Sequence, residues 1–440
     1  MPRHSPNVPE TGTVESLNHD GAGVVRAGKT AFVAGALPGE VVQFLRRKRH
    51  RQYDEAELLE VLEPSTLRVK AECPHFGICG GCALQHLAPA TQLEIKQQQL
   101  ADSLQRIGKV TPATWLPPLT GPVWRYRRRA RLGARYVTKR ERSLVGFRER
   151  QGSFIADINQ CEVLAEPVNQ LILPLSQLLT SLSVRERIPQ IEVAVADDTV
   201  ALVMRNLAPL SAEDDARLLQ FETEHRVRIY LQPAGLGSIR PIREPAPTLS
   251  YRLRDFDVQL EFLPTDFIQV NAVLNESLIA RVVEQLQLDA GSRVLDLFCG
   301  LGNFSLPLAR RAGSVTGVEG DKALVERAVA NATRNGLTNT RFHAADLLVP
   351  LLPAAAWLAG GYSHVVLDPP RAGAREMLAA VAALAPKRVA YVSCHTGTLA
   401  RDLGILVHEH GFELLAAGVA DMFPHTAHVE SLAILQPKTR

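Results

Sequence analysis

No apolar run in these 440 residues approaches the roughly 20 that a helix needs to cross a bilayer. The nearest contender, Leu347 to Gly360, is interrupted by Pro350 and Pro353. The N-terminal stretch Met1 to Glu10 is polar and contains proline. It has no basic segment leading into an apolar one, so no secretory signal is read. Internal repeats and low-complexity tracts are missing too. Hydrophobic residues make up 46% of the chain and charged residues 22%, which excludes a disordered protein. The expectation is a globular cytoplasmic protein of two or three domains, since one core does not serve this length.

An excess of one charge is also lacking, because the net charge is only +3. Its distribution is uneven, however. Arg46 to Arg51 holds five Arg/Lys and no acid, and residues 121–150 hold eleven against Glu141 and Glu149. The second run is interleaved with Trp124, Tyr126, Tyr136 and Phe147. A single charge run is ordinarily a solvated face. Two runs, rich in arginine and one carrying aromatics, point to a polyanion such as nucleic acid.

Residues 10–65 read as about five short strands separated by turns, among them Thr13–Leu17, Thr30–Val33 and Glu55–Leu62. That predicts a small barrel of the oligonucleotide-binding kind. An amphipathic helix is expected over 93–107, with Leu100, Leu104 and Ile107 on one face. Residues 126–262 look strand-rich, an α+β middle whose topology the pattern leaves open. From about 264, helices and strands alternate: a helix at 273–286, then strands at 293–297, 314–319, 341–344, 364–368 and 388–393. This is the pattern of a doubly wound, Rossmann-like α/β sheet.

Val294 to Asn303 reads as an apolar strand entering a glycine turn at Gly300 and Gly302, with a helix starting near Phe304. A full Gly-x-Gly-x-x-Gly is absent, since Asn303 and Phe304 occupy its places, and this favours an adenosyl group over a pyrophosphate. Glu319 ends the next strand, where a carboxylate can take both ribose hydroxyls. Asp346 follows the third strand and can accept from an adenine amino group. The bland alternatives are a surface acid for Glu319 and a helix N-cap for Asp346. As a set they favour S-adenosylmethionine.

The fourth strand ends in Asp368-Pro369-Pro370-Arg371, similar to an adenine-methyltransferase motif but without its aromatic residue. The fifth ends in Ser393-Cys394-His395, which puts a thiol on the cofactor side of the sheet. A buried structural cysteine is the competing reading for Cys394, and it is the one adopted for Cys299. Uridine C5 is too weak a nucleophile to take a methyl group unaided. A thiolate adding to C6 overcomes this, and a base must then remove the C5 proton. Glu430, opening the last apolar strand, is a carboxylate available for that task, although spacing alone equally allows an edge charge.

Cysteine is scarce, with six in all. Three of them, Cys73, Cys79 and Cys82, share a glycine-rich loop, and Cys161 follows far downstream. Without a secretory context a metal is expected rather than disulfides. Only one C-x2-C knuckle is present, so a [4Fe-4S] cluster suits the spacing better than structural zinc. A radical mechanism is the rival when such a cluster meets S-adenosylmethionine. A fourth thiol able to close the cluster argues against it.

With these residues in view, the chain resembles the RNA (uracil-5)-methyltransferase family over nearly its whole length, in its bacterial 23S ribosomal RNA type. The Asp20-Gly21-Ala22-Gly23 turn, the cysteine spacing and Asp266-Phe267-Ile268-Gln269-Val270-Asn271 carry that resemblance. It implies a multi-domain chain. Residues 1–66 would be a TRAM barrel (OB-like), and 67–262 a central α+β domain with an iron–sulfur cluster. Residues 263–440 would be a Rossmann-like methyltransferase domain, onto which a helical segment at about 93–125 packs. By the same resemblance Gln269, Phe298, Asn303, Glu319, Asp346 and Asp368 contact S-adenosylmethionine. Cys394 is the nucleophile, Glu430 the base, and Cys73, Cys79, Cys82 and Cys161 hold the [4Fe-4S] cluster. The implied substrate is uracil 1939 of large-subunit ribosomal RNA, acted on by a monomer. One departure is His395-Thr396-Gly397, where the family has Asn-Pro or Asp-Pro after the nucleophile. Three rivals stand beside this reading: action on another rRNA or tRNA site or another base, a non-catalytic RNA-binding assembly factor, and a redox sensor.

Overall fold

The computed structural model describes residues 8–26, 28–150, 152–349 and 355–438. Met1–Asn7 and both prolines of the 347–360 stretch lie outside them. The described chain forms two compact units that interleave in sequence. The first comprises residues up to Lys96, then 146–158 and 423–428. The second comprises 97–145, 159–422 and 429 onward. No helix among the described residues is long and apolar enough to cross a membrane.

In the first unit, β1 (Glu10–Leu17), β2 (Ala22–Val25), β3 (Thr30–Ala34), β4 (Val41–Arg49) and β5 (Tyr53–Glu63) close into a barrel of order β1-β2-β3-β5-β4. Alternation buries Val14, Val25, Val33, Val42 and Phe44 inside it. Part of the basic run is paired within the barrel. β4 extends to Arg49, so Arg46 meets Glu10 and Asp54 at 2.8 and 3.0 Å, while Lys48 meets Glu55 at 3.2 Å. The barrel's own acids thus neutralise much of the charge read as a footprint.

Helix α1 (Pro89–Ser103) continues into a π turn, Leu104–Gly108. Leu100 and Leu104 are buried as expected, but Ile107 is 54% exposed, because the wider π turn rotates it off the apolar face. Strand β6 (Thr114–Trp115) follows.

The middle of the chain forms a six-stranded sheet of order β12-β11-β10-β9-β7-β8. Its strands are β7 (Arg129–Val137), β8 (Arg142–Gly146), β9 (Gln190–Val195), β10 (Val200–Arg205), β11 (Val227–Leu231) and β12 (Arg240–Pro241). Helices α2 (Ile172–Ser181) and α3 (Ala212–His225) belong to it, α3 opened by a Ser211/Asp214 capping box. A hairpin, β13 (Leu249–Leu253) with β14 (Val258–Phe262), leads out.

The eight-stranded sheet has the order β17-β16-β15-β18-β19-β21-β20-β6. Its elements are α4 (Ala272–Leu286), β15 (Arg293–Leu297), α5 (Ser305–Ala309), β16 (Ser314–Glu319), α6 (Lys322–Arg334), β17 (Thr340–Ala344), β18 (His364–Leu367), α7 (Leu378–Ala383), β19 (Arg388–Ser393), α8 (Thr396–His408), β20 (Phe412–Ala420) and β21 (Glu430–Pro437). Asn271 caps α4, and Leu274, Leu278, Val282 and Leu286 bury its predicted face. The strands β15 to β19 pair in parallel; β15, β16, β18 and β19 are mostly buried, as a sheet covered on both faces requires, whereas edge strand β17 is not.

Candidate active site

All the proposed cofactor and reaction residues lie in the second unit, at or just past the carboxyl ends of its parallel strands, in the segment leading into α4, or, for Glu430, at the amino end of antiparallel β21. Strand order reverses between β15 and β18, which is where such sheets bind ligands. Register fixes the neighbours. Leu297 pairs with Val318 and with Leu367, so Phe298, Glu319 and Asp368 follow side by side. Ser393 pairs with Ser431 in antiparallel β19 and β21, so the next residue out on each strand is Cys394 and Glu430.

The turn after β15 passes through positive φ at Phe298 (65°), Gly300 (54°) and Gly302 (99°). A bulky side chain at positive φ persists only where its surroundings enforce it. A Cβ at Gly302 would stand 2.4 Å from Leu306, whereas Gly300 faces open space. Glu319 braces the turn, accepting from the Gly300 N–H at 3.1 Å and the Asp321 N–H at 3.0 Å. Asn303 exchanges hydrogen bonds with Asn275 at 2.9 Å and accepts from the Tyr251 hydroxyl at 2.9 Å. Asp346 is exposed and accepts from the Leu348 N–H at 2.9 Å, a local turn rather than a helix cap.

Arg128 shows why the 121–150 run is not a free patch. It is buried, donates to the Gln269 carbonyl at 2.8 Å and lies 4.4 Å over the Tyr251 ring. Arg129 donates to the Pro264 carbonyl at 2.6 Å, and Arg131 pairs with Glu192 at 3.0 Å. Arg128 and Arg129 are thus tied to the segment leading into α4, while Arg131, Arg135, Lys139 and Arg140 remain exposed.

Electrostatically the reaction end of the site is crowded with acids. Burial, then the neighbouring Glu430 and Asp368, push the Cys394 thiol up to about 11, with Arg371 opposing. Burial raises Glu430 well above the carboxylate range, with Asp368 adding to it. Burial alone holds Asp368 at about 7. Asp296, inside β15, is also raised to about 7 by burial first and by Asp368 and Glu319 after it. Its Oδ2 accepts from Ser305, but its Oδ1 is buried without a partner. An orphaned buried carboxylate oxygen beside an open glycine turn fits a cationic or hydroxyl-bearing ligand.

Sequence reading missed Asp296, Tyr251 and Asn275 and gave Asp402 no role. A lone acid inside an apolar strand was the available signal for the first. Asp402 accepts from the Ala374 N–H at 2.8 Å and the Tyr391 hydroxyl at 2.6 Å. With Thr398 on the Arg371 carbonyl and Arg401 on the Ala372 carbonyl, it clamps the loop after Asp368 to α8. The unusual His395 takes up the helix cap itself, its Nδ1 accepting from the Thr398 N–H at 3.2 Å. Cys299 is buried with a strongly raised thiol and stands against Gly317, in line with a structural role.

Cys73, Cys79 and Cys82 share one loop of the first unit, and Cys161 belongs to the second. None of the six cysteines forms a disulfide. Among the described residues, no three His, Cys, Asp or Glu side chains are gathered at metal-holding distance.

Fold and site together define an α/β protein whose parallel sheet carries a cysteine, Cys394, and a buried carboxylate, Glu430, at adjacent strand ends. The family described as tRNA (Uracil-5-)-methyltransferase matches residues 244–347 and 359–438. The chain is 49% identical to the 23S rRNA (uracil(1939)-C(5))-methyltransferase RlmD of Alkalilimnicola ehrlichii, covering 99% of this chain and 98% of that one. It is equally 49% identical to the RlmD of Xanthomonas campestris, covering 97% and 96%. Among solved structures, the Pyrococcus abyssi tRNA (uracil-54, C5)-methyltransferase in complex with S-adenosyl-L-homocysteine is 26% identical. It aligns with a TM-score of 0.73 over 97% of this chain and 100% of that one. The chain belongs to the RNA (uracil-5)-methyltransferase family, in its 23S ribosomal RNA branch.

Proposed function

We propose that this chain methylates C5 of a uridine in 23S ribosomal RNA, uracil 1939 in the naming of its relatives, using S-adenosylmethionine. The observation that carries the reading is the register placing Cys394 and Glu430 opposite one another beside Asp368. Cys394 adds as thiolate to C6, and the electron pair of the C5–C6 bond moves toward C5 and O4. When bound, the cofactor supplies an electrophilic methyl sulfonium, and C5 takes that methyl as the C–S bond breaks. Glu430 then removes the C5 proton, the double bond re-forms, and the thiolate leaves C6. Asp368, Glu319, Asp346, Phe298, Asn303 and Gln269 are the residues assigned to hold the cofactor. The orphaned Asp296 oxygen and the open face of Gly300 support a ligand there. A uridine held in RNA structure must be flipped or taken from a loop to reach Cys394.

The barrel is assigned as a TRAM module that holds RNA backbone, with Arg49, Arg51 and the exposed basic residues of 131–140 contributing phosphate contacts. Cys73, Cys79, Cys82 and Cys161 are assigned to a [4Fe-4S] cluster. Support comes from the all-sulfur donor set and from three of the four cysteines sharing one loop. When bound, the cluster would supply a redox-active centre. A cytoplasmic location follows from the ribosomal substrate.

The test is nucleoside analysis of a 23S fragment after incubation with S-adenosylmethionine. The expected product is 5-methyluridine at one site, abolished in Cys394→Ala. A methylated purine, or product formation by Cys394→Ala, would sink the reading.

A further inference from the structure

The loop joining β20 to β21 ends directly at Glu430, and its central stretch, residues 423–428, belongs to the first unit. There it is gripped from two sides. Gln92 and Lys96 stand one turn apart on α1, and each is only 1% exposed. Gln92 accepts from the His425 N–H at 2.8 Å, and its amide nitrogen lies 3.2 Å from His425 Nδ1. Lys96 donates to the Phe423 carbonyl at 2.9 Å. From the other side, the N–H groups of Ala83 and Leu84 donate to the His425 carbonyl at 2.8 and 2.9 Å. Ala427 packs against the apolar cluster of Leu37, Leu84 and Leu87.

Burying a lysine and a glutamine is costly unless both are well bonded. Here both are directed at the main chain of one short loop. His425 is held at φ 65°, which a non-glycine residue keeps only under constraint. A loop merely closing a hairpin needs neither feature.

We propose that Gln92 and His425 are positioning residues for Glu430. The clamp fixes the backbone entering β21, and with it the carboxylate that takes the C5 proton. Two of its donors, Ala83 and Leu84, immediately follow Cys82. This rests on the reading of Glu430 as the base. The step affected is the last one: the C5 proton passes to Glu430, the C5–C6 double bond re-forms, and the C6–S bond breaks to return the Cys394 thiolate.

Single-turnover kinetics on the full-length chain separate the two halves of the reaction. In Gln92→Ala and His425→Ala, the covalent adduct with 5-fluorouridine RNA should form within about twofold of the unaltered rate. With ordinary uridine RNA, release of methylated product should fall about tenfold or more, with adduct accumulating. Gln92→Glu, which keeps an acceptor for the His425 N–H, should recover part of the release rate. Lys96→Met probes the same clamp where the first two variants do not fold. Formation and release falling together, or release unchanged, would overturn the proposal. No adduct in the unaltered chain would overturn the assignment of Cys394 itself, and the clamp's role with it.

Discussion

Cys394 is the proposed nucleophile, and its surroundings hold it protonated in the free enzyme. With its thiol near 11, about one molecule in ten thousand holds a thiolate at pH 7 in the free enzyme. Alkylation of Cys394 by iodoacetamide should therefore be slow at pH 7 and quicken about tenfold per pH unit up to roughly pH 10. Glu430→Gln removes a repelling charge and should quicken it at pH 9, while Arg371→Ala should slow it. Mass-mapped labelling rates check all three, and a pH-independent rate would contradict the raised thiol. Asp368 has the opposite use for its perturbation. Its carboxyl keeps a proton to about 7 in the folded chain against about 4 in the unfolded one, so stability falls as pH rises through that window and stays lower above it. Asp368→Asn should raise the melting temperature at pH 8, by at most about 4 kcal/mol in stability, with the gain vanishing toward pH 4. The same change should weaken cofactor binding. A thermal-shift series over pH tests the sign, and a gain that persists at pH 4 would refute the cause.

At the scale of elements, α8 does more than cover the sheet. His395 opens it, and Thr398, Arg401 and Asp402 on its first turns hold the loop that follows Asp368. His395→Ala should cost about 1 kcal/mol in denaturant unfolding and His395→Asn almost nothing, as expected of an N-cap. Asp402→Ala leaves the Ala374 N–H without its carboxylate and should cost about 2–3 kcal/mol. Equal losses in both His395 variants would remove the capping account. Much of this region was legible beforehand, because buried parallel strands such as Val294–Leu297 and Val389–Ser393 read as short apolar runs ending in polar chemistry. The middle sheet was not. Its β7 pairs antiparallel with β9 about 60 residues away, and β10 runs parallel to β11, pairings that no local pattern encodes. Ile107 was misplaced because helical spacing assumes 3.6 residues per turn, which the π turn does not keep. The pairing inside the charge runs was hidden in a similar way: the acids that meet Arg46, Glu10 and Asp54, come from other strands of the barrel.

For the whole molecule, the sequence interleaves two units, so each chemical centre is reached by chain from the other. Cys73→Ser should lose iron and acid-labile sulfide together while leaving the far-ultraviolet spectrum of the larger unit nearly intact. Retention of full iron and sulfide would remove Cys73 from the cluster. Affinity for a 23S fragment should fall steeply between 50 and 200 mM salt, by about tenfold or more, since phosphate contacts dominate such binding. A flat salt response would remove the basic residues from the interface. The central claim is that Cys394 attacks a uridine, and a covalent trap tests it most directly. The chain is mixed with S-adenosylmethionine and a 23S fragment carrying 5-fluorouridine, whose fluorine blocks the final elimination. The account predicts a denaturation-resistant protein–RNA complex whose mass includes one transferred methyl group and whose cross-link maps to Cys394. Bound RNA with no adduct, or an adduct at any other residue, would contradict it.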